Sequence, residues 1–260
     1  MAEPDSVAIK GGELVKRHGL ATRLWHWLNA VAVIVLLMSG LMISNAHPQL
    51  YWGQFGANFD QPWLRLPTFA GWVTIPSTYN LALARHWHLF FSWVLAVGLL
   101  VYLVVSLINR HLQRDLFVRA AELSPRHLLD DIKHHAQLRF PTGAAALKYN
   151  TLQKLAYVGV IFVLLPVMIL TGMIMSPGLA PLTTWALDLF GGRATARSVH
   201  FIAATLLGLF LVVHLALVVL AGPYNELRSM ITGRFRVPPE RREAAEEELQ
   251  SEPQLAGETA

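Results

Sequence analysis

The stretch from Ser198 to Ala221, SVHFIAATLLGLFLVVHLALVVLA, constrains this chain more than any other. It is apolar for about twenty residues, the length a helix needs to cross the hydrocarbon of a bilayer. Two ionisable side chains interrupt it, His200 and His214. Such groups are costly inside a membrane and mark function. Their fourteen-residue interval puts them about 21 Å apart along a helix and about 40° apart around it. One helix therefore presents two imidazoles on nearly one stripe, one towards each membrane face.

Three more apolar runs precede it: Leu24 to Ser44, His86 to Ile108, and Leu152 to Met175 with Pro166 as a predicted kink. Charged residues make up only 15% of the chain, against roughly a quarter in soluble domains. The fold class expected is all-α, an integral membrane four-helix bundle. Residues 1–21 form an N-terminal segment, 22–222 the membrane domain and 223–260 a tail whose acidic end has nothing to bury. The polar N-terminus has no apolar core before Gly19, so it does not read as a cleavable signal. No feature points to nucleic acid.

Positive charge orients the spans. Lys10, Lys16, Arg17 and Arg23 precede the first. Arg110, Arg114, Arg119, Arg126, Lys133, Arg139 and Lys148 lie between the second and third. Arg228, Arg234, Arg236, Arg241 and Arg242 follow the fourth. The other two connections hold Arg65 and Arg193. The positive-inside rule then places both termini and the middle connection in the cytoplasm. The middle connection, Leu112 to Ala136, reads as a pair of amphipathic surface helices, with His134 and His135 solvated. The connection from Asn45 to Leu83 lies outside and carries Tyr51, Trp52, Phe55, Phe59, Trp63, Phe69, Trp72 and Tyr79. Such a set suits an interfacial belt or a docking platform for an extracytoplasmic partner.

With orientation set, depth follows. His26 opens an outward span and is inner; His88 opens an inward span and is outer. On the inward fourth span His200 is outer and His214 inner. The four pair by level, His26 with His214 and His88 with His200. Two imidazoles at one level can hold a six-coordinate haem with no axial position open to substrate, a carrier of electrons. The chain has no cysteine, which excludes covalent haem attachment, cysteine-ligated clusters and disulfides. Two non-covalently bound b-type haems are the cofactors expected.

Arg23, Arg85 and Arg197 each precede a candidate ligand by three residues, in RLWH, RHWH and RSVH. One helical turn away, each can meet a haem propionate; the alternative is snorkelling to lipid headgroups. Gly40 follows His26 by fourteen residues and faces inward at the outer level, where a missing side chain admits a flat porphyrin or a neighbouring helix. His86 competes with His88 but lies about 200° round the helix, so only one faces the bundle; the stripe Ser92, Leu95, Leu99 favours His88. His18, His47, His111 and His127 read as surface residues. Met38, Met42, Met168 and Met173 read as apolar filler.

The motifs RLWHWLNA, RHWHLFFSW, YNTLQKLAY and ARSVHF with VVH make the chain resemble bacterial cytochrome b561 and nickel–iron-hydrogenase b-type cytochromes. This group includes the cytochrome b subunits of formate dehydrogenases and thiosulfate reductases. The resemblance covers about Arg17 to Arg236, in a minimal four-span form. It implies a multi-pass protein of the bacterial inner membrane, with ligands corresponding to His26, His88, His200 and His214. It also implies electron transfer between quinone and an extracytoplasmic oxidoreductase, with a molybdopterin enzyme as the partner class. Quinone would bind near the inner haem, where Asn29 and Lys154 are the nearby polar groups. Competing functions are a free-standing quinone oxidoreductase with a small diffusible donor, and a haem-free membrane scaffold.

Overall fold

The computed structural model describes residues 12–56, 60–110, 120–137, 141–147 and 150–239. Lys10, Phe59, His111, Arg114, Arg119, Arg139, Lys148, Arg241, Arg242 and the acidic tail lie outside the described residues. Two compact units are present. One comprises Ala21–Phe117 and Lys154–Leu217, the other Met1–Leu20, Val118–Gln153 and Val218–Ala260. The structure thus groups the middle connection with the chain ends.

Four helical segments are long and apolar enough to span a membrane. They are α1 (Leu20–Ala46), α2 (Leu81–Ile108), the pair α4 (Thr151–Gly159) and α5 (Leu165–Met175), and α7 (Arg193–Ala221). α1, α2 and α7 begin four or five residues before the apolar runs, because a helix continues into polar surroundings wherever its first amides are satisfied. At α2 the Asn80 side chain does this, accepting from the Leu83 amide at 2.9 Å. α4 opens with a reciprocal cap: Asn150 Oδ1 accepts from the Gln153 amide at 2.8 Å, and Gln153 Oε1 from the Asn150 amide at 3.4 Å.

Between α4 and α5, Val160–Leu164 winds as a π-helix. Pro166 has no amide proton to give, and the wider turn lets the Leu165 amide reach the Val160 carbonyl instead. A kink was expected at Pro166; the structure shows this π-helical turn before it.

The core of the first unit is Ala32, Val33 and Leu36 of α1, Leu95, Leu99 and Tyr102 of α2, Val160, Ile161 and Leu165 of the third span, and Leu207 of α7. Trp25 stacks on Tyr102, ring centres 4.1 Å apart. The opposite faces leave Leu100, Val101, Leu107, Ile108, Val212 and Val219 more than half exposed. A bundle apolar outside as well as inside is built for lipid, where helices satisfy their own backbone.

The connection after α1 folds back as a hairpin of β2 (Gln49–Leu50) and β3 (Leu64–Arg65). Asn45 holds its return by accepting from the Phe69 amide at 2.7 Å and donating to the Phe69 carbonyl at 2.9 Å. The short α6 (Thr184–Leu189) leads through Gly191 and Gly192 into α7. Gly192 has φ +127°, and a Cβ there would overlap the Gln54 backbone, so only glycine lets the hairpin seat against this turn.

In the second unit, β1 (Leu14–Lys16) pairs antiparallel with β4 (Arg234–Arg236), bringing the two ends of the described chain together. Gly222, at φ +107°, separates α7 from α8 (Pro223–Thr232). Arg17 meets Glu226 at 3.1 Å and lies 4.4 Å over the Phe235 ring. The middle connection contributes a single α-helix among the described residues, α3 (Pro125–Ala136), after a 3₁₀ turn at Ala120–Leu123. A pair of helices was expected over Leu112 to Ala136; Pro125 sets the start of the one described, and residues 112–119 lie outside the described residues.

Candidate haem sites

The four span histidines come together in two pairs within the first unit. His26 of α1 and His214 of α7 have ring centres 6.3 Å apart, tilted by 57°. His88 of α2 and His200 of α7 have ring centres 6.2 Å apart, tilted by 58°. These are the partners expected from depth. A metal ion about 2.0–2.1 Å from a nitrogen of each ring would put the ring centres about 6.4 Å apart. Among the described residues no group of three His, Cys, Asp or Glu side chains is placed to hold a metal. Two imidazoles alone suit a metal that brings its remaining ligands with it, as haem iron does.

Each ring of the His88–His200 pair sits on a buried hydroxyl. Ser39 Oγ lies 3.0 Å from His88 Nδ1, and Thr171 Oγ1 lies 2.8 Å from His200 Nδ1. Neither hydroxyl has a proton to spare. Ser39 donates to the Val35 carbonyl at 2.7 Å, and Thr171 to the Val167 carbonyl at 2.6 Å. The hydroxyl must therefore accept, which puts the imidazole proton on Nδ1 and leaves the Nε2 lone pair for a metal. Both hydroxyl residues are fully buried.

A glycine follows each hydroxyl. A Cβ on Gly40 would lie 3.4 Å from His88 Cε1, and one on Gly172 would lie 3.7 Å from His200 Cε1. Gly40 was expected to face inward at this level; the structure sets it against the imidazole of His88. The chain thus uses one device twice, Ser39-Gly40 on α1 and Thr171-Gly172 on α5. Sequence reading passed over Ser39, Thr171 and Gly172. The signal was present in the similar segments SGLMIS and TGMIMS, each at the C-terminal end of its span.

The His26–His214 pair is held differently. His26 Nδ1 is buried with no hydrogen-bond partner among the described residues. The His214 ring stacks on Phe210, centres 5.8 Å apart. Three residues beyond His26, Asn29 Oδ1 is also buried without a partner. It lines a cleft between α1 and α2 with Trp25, Leu28, Ala32, Val94 and Gly98. An orphaned nitrogen on a paired imidazole, in an apolar setting, fits a site whose remaining component is a bound group.

Of the rival residues, His86 is exposed and its Nδ1 lies 2.8 Å from the Ala82 carbonyl, away from either pair. Arg23 is half-buried one turn before His26, and Lys154 is half-buried on α4. Arg85 and Arg197 are exposed, one turn before His88 and His200 respectively. Arg85 reaches His47, Nη2 to Nε2 at 3.4 Å. Burial first, then the charges of Arg197 and Arg85, hold the His47 pKa below its ordinary value. His47 was expected to be a surface residue; it is exposed, yet it joins these arginines.

The aromatic connection is tied to α7 beside His200. Trp63 donates its Nε1 proton to Ser198 Oγ at 2.9 Å, and Ser198 donates to the Tyr51 carbonyl at 2.6 Å. Thr195 Oγ1 accepts from the Gly53 amide at 2.7 Å. Tyr51 is buried, whereas Phe55, Trp72 and Tyr79 stay exposed.

The comparisons with known proteins agree with this architecture. Residues 17–233 match the pattern of the prokaryotic cytochrome b561 family. The chain is 32% identical over 225 residues to a protein of Azospira oryzae whose name describes a protein-methionine-sulfoxide reductase subunit, YedZ1, covering 85% of this chain and 98% of that one. It is 29% identical over 230 residues to YdhU of Escherichia coli, named as a cytochrome, covering 86% of this chain and 76% of YdhU. It is 23% identical over 246 residues to a Cupriavidus necator protein named as a Ni/Fe-hydrogenase b-type cytochrome subunit, covering 90% and 88%. The chain belongs to the prokaryotic cytochrome b561 family, the multi-pass b-type cytochromes of the bacterial inner membrane that serve oxidoreductases as electron-transfer subunits.

Proposed function

We propose that the chain holds two b-type haems, an inner one between His26 and His214 and an outer one between His88 and His200, and passes electrons between quinone and an extracytoplasmic reductase. The observation that carries this reading is the pair of imidazole pairs at one separation, both drawing a partner from α7. Bound haem supplies a one-electron carrier with both axial positions filled. The chain's own residues do the rest. The four histidines fix two levels in the membrane. Ser39 and Thr171 hold the Nδ1 protons of the outer pair and keep each Nε2 directed to the metal. The Leu, Val and Phe side chains between His200 and His214 keep water out of the space between the levels.

Both termini are assigned to the cytoplasm by the arginine and lysine placement. The pairing of β1 with β4 supports a common side for the two ends. The quinone headgroup is assigned to the neighbourhood of Asn29, whose buried Oδ1 stands one turn from His26. The partner is assigned to the outside, where Phe55, Trp72 and Tyr79 are exposed. A relative is named as a subunit of a methionine-sulfoxide reductase, which favours an oxygen-atom-removing reductase, of the molybdopterin class, as partner.

The test is a pyridine haemochrome assay on the purified full-length chain. Two b haems per chain are expected, and a colourless folded protein would sink the proposal. His214→Ala should then remove the inner haem and leave the outer one; loss of both from a folded chain would refute the separate pairing.

A further inference from the structure

We propose that His47, Arg85 and Arg197 form one anion site, that its anion is the propionate pair of the outer haem, and that His47 takes up a proton when that haem is reduced. This rests on the two-haem reading above. His47 directly follows the last residue of α1, Arg85 stands in the first turns of α2, and Arg197 in those of α7. Three elements thus deliver three basic groups to one place. None of the three has a carboxylate partner among the described residues, although each could make one. Arg85 and Arg197 sit three residues before His88 and His200, so the basic trio lies one helical turn, about 5.4 Å, from the outer pair.

The contact between Arg85 and His47 is informative about protonation. An arginine N–H at 3.4 Å from Nε2 needs a lone pair there, so His47 is neutral in this arrangement. A protonated His47 would have no lone pair and would repel both arginines. It becomes favourable once an anion lies among the three. Arg85 and Arg197 are the charged groups that face His47, from α2 and α7; the nearby His86 is turned to the Ala82 carbonyl.

The linkage has a definite sign. Without an anion, burial and the two arginines disfavour the imidazolium. Carboxylates between them reverse the arginines' effect and raise the pKa. One added electron on the haem raises it further. In the coupled step one electron enters the outer haem from a quinol by way of the inner haem, and one proton enters His47 Nε2 from extracytoplasmic water; oxidation by the partner reductase removes the electron and returns the proton.

The experiment is spectroelectrochemistry on the full-length two-haem protein in lipid nanodiscs between pH 5 and 9, with the outer component identified as the one His200→Ala removes. The outer potential should fall as pH rises, approaching about 59 mV per pH unit, the one-electron equivalent of a tenfold change. In His47→Gln chains that carry both haems, the slope should be lost. An outer potential independent of pH in the wild type, or a slope that survives in His47→Gln, would overturn the inference while leaving two haems in place. A chain with fewer than two haems would overturn the underlying reading, and the haemochrome assay registers that separately.

Discussion

Consider Thr171→Val. The two side chains are nearly the same shape, so the substitution removes a hydroxyl and leaves packing almost unchanged. Thr171 is fully buried, and its oxygen accepts from His200 Nδ1 at 2.8 Å. A buried donor left unsatisfied costs about 1–3 kcal/mol. The Met168 carbonyl lies 3.3 Å from Thr171 Oγ1, close enough to the same imidazole to recover part of the loss. The expected penalty is therefore near the low end, about 1.4 kcal/mol, or about tenfold in outer-haem affinity. An imidazole whose Nδ1 proton is less well accepted is also a weaker electron donor, so the outer potential should rise. Haem loss to an excess of apomyoglobin measures the affinity, and a redox titration measures the potential. Thr171→Ser should restore both. If Thr171→Val releases the outer haem at the wild-type rate and leaves its potential unmoved, the hydroxyl is only bonding its own helix and the tautomer argument fails. An equal effect on the inner haem would refute it as well.

Ser39→Ala should act on the same haem through His88, in the same direction. Gly192→Val should destabilise the seat of the β2–β3 hairpin by about 2 kcal/mol or more, since both its φ and the Gln54 backbone exclude a side chain; faster proteolysis between residues 50 and 64 reports it. Asn29→Leu should weaken binding of a quinone-analogue inhibitor, read as loss of its shift in the inner-haem spectrum, with haem content unchanged. Glu226→Gln should lower the melting temperature modestly, by the equivalent of about 0.5–1 kcal/mol, because Arg17 keeps its stacking on Phe235.

The histidine pairing was legible because three independent patterns intersect at these residues. Hydropathy marks the spans, the fourteen-residue interval sets two levels on one helix, and the alternating direction of successive spans decides which ends share a level. The hydroxyl seats were not legible in that way. Serine and threonine in membrane helices ordinarily bond back to their own carbonyls, and Ser39 and Thr171 do that too. Only the meeting of α1 with α2, and of α5 with α7, discloses their second bond. The hairpin anchored by Trp63, Ser198 and Tyr51 escaped for a related reason: aromatic composition describes an interfacial surface but cannot say which ring turns inward. His47 looked like a flank residue because its significance depends on Arg85 and Arg197, which are remote in sequence.

α7 carries one histidine of each pair, and it is the last of the four spans to be synthesised. Neither site can exist on a nascent chain that has delivered only three spans. On the two-haem reading, haem capture awaits the final helix. On that reading, a chain stopped before Arg193 would hold no cofactor, leaving His26 and His88 without their α7 partners.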